Sequence, residues 1–185
     1  MKARFGHRRM KKMAKYHIFV DGSSRGNPGA GGWSMLVMNE GEDTLLFVEH
    51  DTEGYVTNNR MELKAMLCAL GYAESNPRDQ FIIYSDSSYV VNSCNTWMRN
   101  WAANGWRNSK KQEVENVDLM KALWKHMTRD FPNFEIVHCR GHQGAVGNEL
   151  ADAAATQNWS RFQDIVETWD ITQDLSAGEN WFPID

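Results

Sequence analysis

The spacing of apolar and polar positions changes several times along the chain, and each change marks an element. Tyr16 to Val20 is an apolar run of strand length that closes on Asp21. Residues 21–32 are crowded with glycine and read as a loop or tight connection. Trp33–Met38 and Thr44–Glu49 are two further short apolar segments. The polar run Asn39-Glu40-Gly41-Glu42-Asp43 between them predicts a hairpin or meander. From Asn59 the period turns helical, with Met61, Ala65, Met66, Ala69, Leu70 and Ala73 on one side. Phe81-Ile82-Ile83-Tyr84-Ser85-Asp86 reads as a buried strand that also ends on an acid. Helical spacing returns from Ser87 to about Ala103 and from Val117 to about Met127. Phe134–Cys139 predicts a strand, and Asn148 to about Trp159 a final helix.

Hairpin-linked strands therefore come first and crossover helices later. This order predicts an α/β fold: a five-stranded mixed sheet, three strands antiparallel and then two parallel, with helices on both faces. Right-handed crossovers would lay the later strands parallel to the first.

At 185 residues the chain fits one domain with tails, and 42% hydrophobic residues suffice for a core. No apolar run reaches the ~20 residues of a membrane span, and the basic N-terminus lacks the apolar stretch of a secretory signal. Cys68, Cys94 and Cys139 lie far apart, which suits neither a disulfide framework nor a zinc site. A reducing, cytoplasmic compartment is the expectation. The net charge of -4 hides a gradient: residues 1–15 carry seven Lys or Arg and no acid, whereas residues 159–185 carry six Asp or Glu and one Arg. The expected organisation is a basic extension (1–15), a central domain (16–158) and an acidic, aromatic tail (159–185). An acidic total does not exclude a polyanionic partner, because local patches matter more than the sum.

Gly26-Asn27-Pro28-Gly29-Ala30-Gly31-Gly32 could be taken for a phosphate-cradling loop. A strand rather than a helix follows it, and no Gly-Lys-Ser/Thr is present, so nucleotide-binding motifs are rejected. Acids offer more. Asp21 and Asp86 each close a predicted strand, where sites of open α/β sheets gather. Glu62 lies in the first turn of one helix and Asp152 near the start of another. If four such acids converged, their repulsion would call for a positive charge, and hard oxygen donors suit magnesium. Each also has a bland reading. Asn59 and Glu62 could form a capping box, Asp86 could cap the following helix, and Asp152 could be a solvated helix acid. Periodicity alone does not bring the four together.

The words around these acids do. Asp21-Gly22-Ser23 with Gly26-Asn27-Pro28-Gly29 resembles the first motif of type-one ribonuclease H. Thr57-Asn58-Asn59-Arg60-Met61-Glu62-Leu63 resembles the second, Ser85-Asp86-Ser87-Ser88-Tyr89-Val90 the third, and Gly141-His142 with Gly147-Asn148-Glu149-Leu150-Ala151-Asp152 the last. All four stand in family order over about residues 16–158. Trp97, Asn100, Trp101, Gly105 and Trp106, followed by Asn116-Val117-Asp118-Leu119, resemble the handle of the bacterial enzymes.

The resemblance implies an endonuclease that cuts the RNA strand of RNA–DNA hybrids. Asp21, Glu62, Asp86 and Asp152 would hold two Mg2+ ions, with Mn2+ able to substitute, leaving 5′-phosphate and 3′-hydroxyl ends. His142, on a glycine-flanked loop, would aid the leaving group or product release. Asn27 and Asn59 would contact the RNA strand, Asn58 the DNA strand, and Thr57 and Arg60 the phosphate backbone. Ser88 and Asn148 complete the implied contacts near the acids, although Ser88 stands where bacterial relatives often carry a longer amide. Trp97, Trp101 and Trp106 would border the DNA strand, and Arg107, Lys110 and Lys111 would add phosphate affinity. Ala102 and Ala103 replace common handle lysines. The basic extension is too short for the separate hybrid-binding domain of some relatives. A monomer is expected, without membrane contact, and the tail is a candidate dock for a replication protein. Two other classes stay open: an inactive hybrid-binding module, and another nuclease of the same fold.

Overall fold

Three consecutive strands open the fold: β1 (Lys15–Arg25), β2 (Gly29–Asn39) and β3 (Thr44–Val56). The computed structural model of the chain describes residues 13–130, 132–140 and 145–174. β1 pairs antiparallel with β2, and β2 with β3. Helix α1 (Asn58–Ser75) then crosses to β4 (Gln80–Ser85), which lies parallel to β1. Next come α2 (Ser88–Asn92), a π-helical turn at Ser93–Trp97, α3 (Met98–Ala103) and α4 (Val117–Met127). β5 (Phe134–His138) adds parallel to β4, followed by α5 (Val146–Ala155), α6 (Trp159–Thr168) and β6 (Thr172–Gln173). The sheet order is β5-β4-β1-β2-β3-β6.

The central strands are apolar on both sides because both sides are covered. Ile18, Val20, Met35 and Val37 face a core shared with Leu63, Met66 and Leu70 of α1 and Met120 and Leu123 of α4. Their neighbours Phe19, Leu36 and Met38 face a second core with Leu150, Ala151 and Ala154 of α5 and Phe162, Ile165 and Val166 of α6. The hydroxyl of Ser34 donates to the Ala151 carbonyl at 2.7 Å, tying β2 to α5.

Several expectations need correction. The sheet has six strands rather than five, because Thr172–Gln173 adds parallel to the start of β3. β1 does not end at Val20: its pairing with β4 stops at Val20–Ser85, while its pairing with β2 runs on to Arg25–Ala30. Most of the glycine-rich stretch is therefore strand, and the chain reverses at Gly26-Asn27-Pro28 through a cis Asn27–Pro28 peptide. β3 continues past Glu49 to Val56. The last predicted helix stops at Ala155, short of Trp159, where Gln157 takes a φ of 57°, and a further helix, α6, follows in the segment expected to be tail. The described part of the C-terminal segment packs on the sheet through Phe162, Ile165, Val166 and Ile171. No described helix is long and apolar enough to cross a membrane.

Candidate active site

Asp21 sits where β4 falls away from β1. It still pairs with Ser34 of β2, but β4 has ended one residue earlier, and Asp86 leaves that strand end just beyond Ser85. The other two acids arrive on helices, and two glycines let those helices come close. A Cβ on Gly22 would lie 2.1 Å from the backbone nitrogen of Glu62, so only glycine admits α1 this near to β1. A Cβ on Gly147 would lie 2.3 Å from the Phe19 ring, which fixes how tightly α5, with Asp152, seats on the same strand.

The bland readings of the acids fail on local geometry. Thr57, not Asn59, caps α1: its hydroxyl accepts from the Arg60 amide at 3.3 Å. Glu62 is thereby beyond the capping-box position. Its carboxylate accepts from Ser87 Oγ at 2.5 Å and from Asn58 Nδ2 at 2.9 Å. Ser87, not Asp86, caps α2, its hydroxyl accepting from the Val90 amide. Asp86 is left to accept from Asn148 Nδ2 at 3.4 Å. Asp152 is ion-paired with Arg161 of α6.

Burial and repulsion act together on Asp21. Desolvation is the larger cause and the charges of Asp86, Asp152 and Glu62 add to it, holding the Asp21 carboxyl well above the usual carboxylate range. Burial, with the Asp86 charge, also raises Glu62 against the opposing pull of the Ser87 hydrogen bond. The charges of the other three acids thus all bear on Asp21, and that of Asp86 on Glu62 as well. Their oxygens are nevertheless turned to donors of the chain itself, and among the described residues no three His, Cys, Asp or Glu side chains ring an ion as they stand. The donor set is wholly carboxylate oxygen with uncompensated negative charge at its centre, which fits a hard divalent cation. The site lies at the rim of the sheet, beside a cavity of ≈ 420 Å³ lined by Ser23, Arg25, Thr52, Glu53 and Gln157 among others and by none of these four acids.

Other expected contacts flank the rim. Asn27 is exposed, and its Oδ1 accepts from the Asn58 amide at 3.1 Å. Asn58 Oδ1 accepts from the Ser24 amide at 3.2 Å, so this side chain links the β1 end, the β1–β2 turn and Glu62. Asn59 is half-buried beside it. Arg60 forms a two-pronged pair with Asp118 at 3.1 and 2.6 Å, which holds the Asp118 carboxyl down to about 2. Ser88 is exposed and lies 3.1 Å from His138 Nε2. Asn148 is buried, between Asp86 and the Cys139 thiol, so it supports the acids from within. His142 lies outside the described residues.

The handle is a second, separate surface. Trp97 is exposed, with its ring 5.7 Å from that of Trp101, which packs on the core below. Trp106 turns inward against Trp124, at 6.5 Å. Arg107 donates to the Lys111 carbonyl at 2.8 Å, and Asn108 Oδ1 accepts from the Lys110 and Gln112 amides, so this loop has a defined shape. Lys110 and Lys111 are exposed upon it. Two contributors escaped the sequence reading. Ser87 was visible only as one of two serines after Asp86, whereas Arg161 had a signal, as the single cation of an acidic segment.

The RNase H family profile matches residues 13–160. The chain belongs to the RNase H family. Ribonuclease H of Herminiimonas arsenicoxydans is 44% identical over 146 residues, covering 78% of this chain and 94% of the relative. Ribonuclease H of Janthinobacterium sp. (strain Marseille) is 42% identical over 146 residues, covering 78% and 96%. Among solved structures, the RNase H domain of prototype foamy virus superposes with a TM-score of 0.68 at 25% identity, covering 78% of this chain and 94% of that domain. These RNase H likenesses agree with the type-one motif order, and the mixed sheet is the RNase H fold.

Proposed function

We propose that the chain hydrolyses the RNA strand of RNA–DNA hybrids by a divalent-cation mechanism centred on Asp21, leaving 5′-phosphate and 3′-hydroxyl ends. The observation that carries the reading is the Asp21 carboxyl itself: half-buried, and crowded by Asp86, Asp152 and Glu62, it asks for positive charge. Asp21, Glu62, Asp86 and Asp152 would hold two Mg2+ ions, with Mn2+ able to replace them. Bound there, the ions supply an activated water and stabilise the charge that develops on the leaving oxygen.

The chain's own groups do the positioning. Asn58 and Ser87 hold the Glu62 carboxylate toward the rim, and Asn148 holds Asp86. Asn27 and Asn59 would meet the RNA strand, because amides both donate to and accept from a 2′-hydroxyl. Asn58 would face the DNA strand, and Thr57 and Arg60 the backbone. Trp97 would offer a flat apolar surface to deoxyribose, with Trp101 packed against it and Trp106 as a further contact. Arg107, Lys110 and Lys111 supply phosphate affinity with little sequence preference. His142 would aid the leaving group, by passing it a proton, or product release. The basic residues 1–15 would add nonspecific phosphate affinity, and the C-terminal segment, residues 159–185, is a candidate dock for a replication protein. The enzyme would work as a monomer in the cytoplasm.

Labelled RNA–DNA hybrid, double-stranded RNA and double-stranded DNA, each with and without Mg2+, test the reading. Cutting of the hybrid alone, and only with metal, is expected. Asp21→Asn should lower it by more than roughly a hundredfold, since even outer partners of metal ligands cost about 10–100-fold. Hybrid binding without cutting under any divalent cation would favour the inactive module.

A further inference from the structure

Arg161 is the one cation that, among the described residues, pairs with any of the four acids. It belongs to α6, one residue beyond the stretch that the family profile matches. Its place is fixed by packing. Phe162, Ile165 and Val166 seat α6 in the second core, and the Arg161 amide donates to Asn158 Oδ1 at 3.1 Å. The preceding turn is held by the Asn158 amide, which donates to the Ala153 carbonyl at 2.8 Å on the helix that carries Asp152. The guanidinium, with 37% of its side chain exposed, is thus delivered to Asp152, with 27% exposed, by a rigid helix pair.

We infer that Arg161 is a resident counter-cation of the site: it holds Asp152 while no divalent cation is bound and must release it when one binds. The inference rests on the proposed metal site. In a cluster of acids a fixed guanidinium lowers the repulsion of the empty state. The same contact occupies a carboxylate oxygen that a cation would otherwise take. Divalent-cation affinity is therefore set below what the four acids alone would give, by the strength of that ion pair. Removing the guanidinium should tighten metal binding and weaken the metal-free fold together. An arginine with a purely structural role would weaken the fold and leave affinity unchanged or lower.

Calorimetric titration of Mn2+ into the metal-free full-length chain separates these outcomes, with wild type, Arg161→Gln, Arg161→Lys and Asp21→Asn run in parallel. Arg161→Gln should bind Mn2+ about fivefold tighter, the worth of a partly exposed ion pair. It should also melt at a lower temperature without metal and show the larger rise when Mn2+ is added. Arg161→Lys, which keeps the charge, should fold as wild type does and lie between the two in affinity. Unchanged or weaker binding in Arg161→Gln, with binding impaired in Asp21→Asn, overturns the inference alone. Binding that is the same in Asp21→Asn as in wild type overturns the metal site and the inference with it.

Discussion

At the scale of the residue, the site is an arrangement of acids that would not choose to be together. An acid whose folded pKa lies above its unfolded one weakens the fold wherever it is ionised. For Asp21 the penalty is absent below the ordinary carboxylate range, grows as pH rises from there toward the higher folded value, and is level above it. The metal-free protein should accordingly lose melting temperature as pH rises out of the ordinary carboxylate range. Asp21→Asn, which keeps the shape and drops the charge, should be the more stable protein at pH 8 in a chelator and should flatten the slope. Melting curves across pH, with and without Mg2+, check both. A variant less stable than wild type at high pH would contradict the assignment of Asp21 as the strained member.

At the scale of the element, close approach of backbone decides where the acids meet. Gly22→Ala would drive a methyl into the α1 backbone at Glu62, which has no flexible end to move aside. Overpacking of this kind costs about 3 kcal/mol or more and should remove cleavage with it. Denaturant unfolding and the hybrid assay report the two losses; a stable, active Gly22→Ala would show that α1 sits further from β1. The helical period of α1 and the apolar runs of β1, β2 and β4 were legible because each is covered on a face or on both. The continuation of β1 past Asp21 was not. Ser23, Ser24 and Arg25 have no apolar signature, and only pairing with β2 makes them strand. The cap of α1 was misread by two residues, because Thr57, Asn58 and Asn59 all favour caps and the choice belongs to tertiary contact: Asn58 is drawn off to Ser24 and Glu62. The acids themselves were legible as motif words, but their mutual position was not, since it depends on strands and helices far apart in sequence.

At the scale of the whole molecule, two cores share one sheet, and the C-terminal segment completes the second. In sequence, residues 159–185 look like a tail, since their acids mask a short apolar stripe of Phe162, Ile165 and Val166. Phe162→Ala should cost about 3–5 kcal/mol, as for other buried aromatics, and should loosen the seat of Arg161 as well. Chemical denaturation measures the first effect; a loss below 1 kcal/mol would mean that α6 is only loosely docked. The same second core explains why α5 is rich in alanine: Ala151, Ala153, Ala154 and Ala155 are all buried, and larger side chains would push Asp152 off the rim.

Among the described residues, β6 pairs with only Thr44 and Leu45 of β3, and the rest of that strand has a neighbour on its β2 side alone. Glu49, Asp51 and Glu53 stand at alternate positions along it. A second copy's β3 laid along this margin would bring Glu49 and Asp51 against acids of the same kind, Glu53 being paired with Lys64, so the charge opposes stacking edge to edge.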